Sequence, residues 1–238
     1  KGIHIIDLNR TSECLDRAAY AMKQMAKSGK KILFVATKKQ AKDIVANAAR
    51  SAEMPYVTER WLGSMMTNSA TIRKSVKKMN NIEKMLNDPA ISITKKERLT
   101  LSREKEKLER VLGGVANLNR LPSAVFMVDI HHEHIALAEA KRLGMKTFAM
   151  VDTNSDPNKV DFAIPSNDDA SKSVKLITEY VVNAIKAGLE ESRLATITPT
   201  RQEEVVETDR DRDRHGVVIA IAEHGDVLGR PVTAHAHQ

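Results

Sequence analysis

The sequence predicts an α/β fold: a doubly wound parallel sheet with an inserted antiparallel coiled-coil helical hairpin. Two observations carry this expectation. Short apolar runs alternate with helix-period runs before residue 67 and again after residue 121, which is the pattern of βαβ units. Between them lies a long, charged stretch with a thin apolar seam and no strand-like run. The segment Glu59–Asn68, which holds the only tryptophan, Trp61, is the joint where the domain gives way to the arm. The expected organisation is therefore a sheet domain made of residues 1–67 and 115–190, an arm over 68–114, and a largely irregular tail over 191–238.

Taken in order, Ile3–Leu8 reads as a short buried strand. Thr11 can cap a helix reaching about Lys27, with Leu15, Ala18, Ala19, Met22 and Met25 inward and Gly29 as its stop. Ile32–Ala36 is a strand. Lys38–Ala52 is a helix with Ala41, Ile44, Val45 and Ala48 inward, and Tyr56–Val57 is a brief strand. In the arm, the first helix runs from Asn68 or Ser69 to Asn87. Its Ile72, Val76, Met79, Ile82 and Leu86 recur every three or four residues and form one seam. Asn87-Asp88-Pro89 breaks it. Thr94 and Glu97 have capping-box spacing, and Leu101, Leu108 and Leu112 supply the second seam before Gly113-Gly114. The β/α alternation then resumes with strands at Ala124–Val128, Thr147–Val151 and Val160–Ile164. A helix over His134–Leu143 places Ile135, Ala138 and Leu143 inward, and Asp168 or Asp169 caps a last helix from about Ala170 to Ala187.

Charge is unevenly spread over the 238 residues. Lys and Arg exceed Asp and Glu by six in residues 1–67 and by six again in 68–114, whereas residues 115–238 carry a net −5. A basic half with an acidic tail points to a polyanion partner, most simply nucleic acid. The single cysteine, Cys14, excludes an internal disulfide framework, suits a reducing cytosol and fits a small core position. No apolar run reaches membrane-spanning length, so no membrane partner is expected.

An enzyme of this fold class would display its site beyond the carboxyl ends of the strands. Asp129, His131, His132, Glu133 and His134 fall there, as do Asp152, Asn154 and Asp156. The histidines are nearly consecutive and straddle a helix start, unlike the spaced ligands of a zinc site. Asp7, Asp129 and Asp152 could pair as acid and base, or satisfy loop amides at strand ends, which is commoner. No phosphate-cradling glycine pattern occurs, and Thr37-Lys38-Lys39 lacks the glycines such a loop needs. A metal- or cofactor-dependent enzyme built on Asp129, His131, His132, His134 and Asp152 is the alternative reading.

Several stretches resemble the bacterial small-subunit ribosomal protein number two family. They are Gly2–Leu8, Ile32–Lys38, Arg60–Gly63 with Thr67-Asn68, Lys107–Glu109 with Gly113-Gly114, Leu121-Pro122, Val128-Asp129, His132–Ala136, Val151–Pro157, Val160-Asp161 with Ile164-Pro165, and Asn167–Ala170. They cover about residues 2–188 in order. The resemblance implies a flavodoxin-like fold with an inserted helical hairpin and no catalysis or cofactor. It implies binding to small-subunit rRNA near the head–body junction of a cytoplasmic particle. It also implies neighbouring small-subunit proteins as partners, including the large mRNA-capturing protein number one, rather than a homo-oligomer. Ser64 stands where the family usually has glycine and Met66 where it often has leucine. The family also carries some tens of residues ahead of the first strand, and the tail from about Ser192 matches no known pattern.

Phe, Tyr and Trp make up only 3% of the chain, which argues against a base-stacking platform. RNA would then be held through phosphate contacts. The expected RNA-binding residues are Arg60, Arg73, Lys74, Lys77, Lys78, Lys95, Lys96 and Arg98 on the joint and arm. Lys38, Lys39, Lys30 and Lys31 come second.

Overall fold

The structure, a computed structural model, describes residues 4–88, 93–118 and 120–195. Pro89, the mixed-charge run Asp209–Arg214, the apolar run Val217–Ala222, His235 and His237 lie outside the described residues. Residues 1–192 form one compact unit, and a second unit begins at Arg193.

Five parallel strands make the sheet: β1 (Ile32–Val35), β2 (Tyr56–Val57), β3 (Ala124–Val128), β4 (Lys146–Val151) and β5 (Phe162–Pro165). Their order, β2-β1-β3-β4-β5, is one of the two common doubly wound orders, with its switch point between β1 and β3. All nine residues of β1 and β3 are buried, as expected for strands covered on both faces. Alternate residues feed two cores. Phe34, Phe126 and Phe148 turn toward helices α1 (Leu8–Lys27), α2 (Lys42–Ser51) and α6 (residues 171–195). Leu33, Val35, Val125 and Met127 turn toward α5 (His134–Arg142) and the joint residues Met65 and Met66. Gly188 lets α6 approach α1, since a Cβ there would stand 2.4 Å from the Lys23 carbonyl oxygen.

The arm comprises α3 (Ser69–Asn87) and α4 (Lys95–Leu112). Both carry the caps expected of them: the Asn68 side chain accepts from Thr71 N, and Thr94 with Glu97 forms the capping box. The helices pack together and run antiparallel. The Arg98 guanidinium donates to the Leu86 carbonyl near the turn, and Lys105 pairs with Glu83 at 2.7 Å further down. Met79 and Ile82 are buried between them. Nearer the sheet, Ile72, Val76, Leu108 and Val111 pack against the second core, so the seam is continuous with the domain at its root.

Some expectations need correcting. Residues 4–7 form no strand, and Ile5 is 95% exposed. The side chain of Asp7 accepts from Asn9 N and starts α1 one residue later, which takes the apolar run out of the sheet. Thr11 is thus not the cap. Its hydroxyl donates to the Pro165 carbonyl at 2.6 Å and ties α1 to β5. Helix α2 starts at Lys42 rather than Lys38, and β5 starts at Phe162 rather than Val160. Neither Asp168 nor Asp169 caps the last helix. Asn167 accepts from the amides of Asp169 and Ala170, and the helix runs on to residue 195, into the segment expected to be irregular. Helix α5 presents Ala136, Leu137, Glu139 and Ala140 inward, leaving Ile135 and Leu143 half-exposed and Ala138 exposed. Its face is set by a carboxylate, which a hydrophobic pattern does not register.

Candidate nucleic-acid interface

The joint is built around Glu139 on α5, which is 8% exposed. Its Oε1 accepts from the Trp61 indole N–H at 3.0 Å. Its Oε2 accepts from Met66 N at 3.0 Å, Thr67 N at 3.1 Å and the Thr67 hydroxyl at 3.3 Å. Burial alone would raise the Glu139 pKa, but these donors outweigh it and hold the carboxyl below its ordinary value. Trp61 therefore fixes the root of α3 to the domain. Within the same loop Ser64 adopts a left-handed φ of 62°, a conformation that favours glycine. Arg60 beside the tryptophan is exposed.

On the arm, the structure separates the basic residues into two groups. Lys78 pairs with Glu104 across the helices, Arg98 holds the end of α3, and Arg73 donates to Ser69 within its own helix. Lys74, Lys77, Lys95 and Lys96 are exposed and have no ion pair among the described residues. Lys74 and Lys77, three residues apart, share one face of α3. Lys95 and Lys96 open α4, where the helix dipole adds positive potential.

The carboxyl edge of the sheet is organised differently. The Lys38 ammonium, its side chain 15% exposed, lies 2.6 Å from Asp129 Oδ2, 2.8 Å from Asp168 Oδ1 and 2.7 Å from Asp169 Oδ1. Burial alone would lower the Lys38 pKa, but the three carboxylates hold it above its ordinary value. Burial likewise raises Asp129, but Lys38 and the amides of His132 and His131 bring it below the usual range. Asp168 shifts the other way: burial, with repulsion from Asp129 and Asp152, outweighs Lys38. Its Oδ2 atom is buried with no hydrogen-bond partner among the described residues. Next to this cluster the buried Glu133 accepts from Thr37 N at 2.7 Å and Thr37 Oγ1 at 2.6 Å. This lattice joins β1, β3 and the start of α6 across the switch point. Lys39 is exposed beside it.

The alternative catalytic cluster does not assemble. Asp129, at a left-handed φ of 66°, spends Oδ1 on the amides of His131 and His132, while the three imidazoles are on exposed residues. Asp152 accepts from the amide of Thr153. Among the described residues, no three or more His, Cys, Asp or Glu side chains are placed to hold a metal. No helix among them is long and apolar enough to cross a membrane.

Fold and surface together define a basic α/β protein with a helical arm and, among the described residues, no assembled reaction centre, the class expected of a ribonucleoprotein constituent. The sequence profile of the ribosomal protein S2 family matches residues 1–188. The small ribosomal subunit protein uS2 of Cytophaga hutchinsonii is 60% identical over 193 residues, 81% of this chain and 76% of that protein. The protein of the same name from Phocaeicola vulgatus is 58% identical over 193 residues, covering 81% and 69%. That from Bacteroides thetaiotaomicron is 56% identical over 197 residues, covering 82% and 71%. The chain belongs to the ribosomal protein S2 family, and it is accordingly a structural ribosomal protein of the small subunit, a cytoplasmic particle, and not an enzyme.

Two features were missed in the sequence. Glu139 gave no signal, because a lone Glu on an amphipathic helix reads as solvated. The partners of Lys38 lie some 90 and 130 residues away in the chain.

Proposed function

We propose that the chain is held in the small subunit by contacts between its basic surface and rRNA phosphates, made chiefly by Arg60 and the arm. It supports subunit assembly and translation beside neighbouring proteins that include the large mRNA-capturing protein number one. The arm acts as a separate antiparallel coiled coil over residues 68–114. The observation that carries this reading is the placement of Lys74, Lys77, Lys95 and Lys96 on the arm, exposed and without ion partners among the described residues. Unneutralised cations on two packed helices suit an extended polyanion, which rewards contact by releasing counterions. The test is gradient sedimentation of a lysate. The chain should travel with small subunits at low salt and leave them at high salt. Recovery only at the top of the gradient in low salt would overturn the reading.

A further inference from the structure

At the opposite edge of the sheet, where the strands begin, lies a cleft of about 960 Å³. Three separate segments bring four cations to it: Lys30 and Lys31 precede β1, Arg50 ends α2, and Arg120 lies between the arm and β3. Glu53 is the one acidic residue lining it among the described residues. The Lys31 ammonium donates to the Glu53 backbone carbonyl at 2.9 Å, which orients it without neutralising it. None of the four cations pairs with a carboxylate among the described residues. Part of this charge balances the carboxyl ends of α1 and α2. Arg120 lies on neither helix, so the cleft gathers more cation than those ends require.

The cleft is built rather than incidental. Gly114, at the foot of the arm, packs so closely on β2 that a Cβ there would stand 2.1 Å from the Tyr56 carbonyl oxygen and 2.8 Å from its ring. The arm root therefore forms one wall. Arg50 is held over the Tyr56 ring at 5.2 Å and donates to its hydroxyl at 2.7 Å. Arg50 over the Tyr56 ring and Gly114 against its edge leave that ring poorly placed to stack a nucleobase, which favours phosphate over base recognition.

We infer that this cleft is a second RNA-binding site, in which Lys30, Lys31, Arg50 and Arg120 grip the sugar-phosphate backbone of folded RNA. The inference rests on the proposed rRNA binding and adds a location away from the arm helices. The Lys30 and Arg120 side chains are exposed and have no hydrogen bond or ion pair among the described residues, and the one bond of Lys30 is its backbone N–H to the Met25 carbonyl at 3.1 Å, so replacing the side chains leaves the fold unburdened. The experiment is a salt titration of full-chain binding to a small-subunit rRNA transcript, comparing wild type with the Lys30→Gln/Arg120→Gln double variant. Two lost phosphate contacts should flatten the slope of log K against log salt by roughly 1.4–1.8. A Lys30→Glu/Arg120→Glu variant should weaken binding further. Circular dichroism confirms that each variant is folded. A steep wild-type slope that neither variant changes would overturn the cleft while leaving rRNA binding intact. A wild type with no salt-dependent binding would instead overturn the reading beneath it.

Discussion

The indole N–H of Trp61 and the Glu139 carboxylate, 78 residues apart in sequence, meet at 3.0 Å in the joint between arm and domain. Two backbone amides and a threonine hydroxyl converge on the same carboxylate. Replacing Glu139 by Gln turns an amide N–H₂ either to the Trp61 indole N–H or to the Met66 and Thr67 backbone amides, all of which can only donate. Stability at pH 7 should fall by about 2–4 kcal/mol in urea unfolding. The folded-state pKa is depressed, so this contribution is present above the unfolded-state value and is lost as pH falls through the folded one. The gap between wild type and Glu139→Gln should therefore narrow below about pH 4. A gap that is constant with pH would mean the carboxylate's charge is immaterial.

Lys38 and its three aspartates supply a second test. Asp129 and Asp168 are almost fully buried, so removing the cation leaves Asp168 uncompensated and Asp129 with only the His131 and His132 amides on Oδ1. Lys38→Met should cost about 3–5 kcal/mol at pH 7. Asp168, with its raised pKa, protonates first on acidification, and the deficit should shrink as it does. If Lys38→Met were as stable as wild type, the ammonium would be free to serve an external phosphate instead.

How much of this could be read from the sequence depended on the range of the interactions. The bounds of α3 and the Thr94 capping box follow from local chemistry and stood where expected. The strand expected at the first apolar run did not form over residues 4–7, because a short apolar stretch suits strand or helix start equally and the Asp7 cap decided. The inward face of α5 was misread because its buried anchor, Glu139, is charged. Lys38 was placed among phosphate-binding candidates, and nothing nearby in the chain hints at Asp129, Asp168 and Asp169 around it.

Ile82 tests whether the arm is a unit of its own. It is 4% exposed between α3 and α4, beyond the root where Ile72 and Leu108 join the domain core. Ile82→Asp should destabilise the arm by about 2–5 kcal/mol. Hydrogen exchange should then show lost protection over the two arm helices and retained protection in β1, β3 and β4. Loss in the strands as well would make the arm part of the core.

The arm's share of RNA binding rests on Lys74 and Lys77. They are exposed on one face of α3, whereas Lys78, one residue further, is occupied by Glu104. A triple change of Lys74, Lys77 and Lys78 to Gln should therefore act as a double one. Its log K against log salt slope should flatten by roughly 1.4–1.8, two contacts' worth rather than three. Lys78→Gln alone should leave that slope unchanged and only weaken the cross-helix pair, a surface interaction worth about 0–1 kcal/mol. Lys95 and Lys96, at the amino end of α4, form an independent pair, so their Gln variant should subtract a similar amount again. The measurement is a salt titration of each variant on one small-subunit rRNA transcript, with circular dichroism held constant. An unchanged slope in the triple variant would make these lysines a solvated face and move the phosphate contacts elsewhere on the domain.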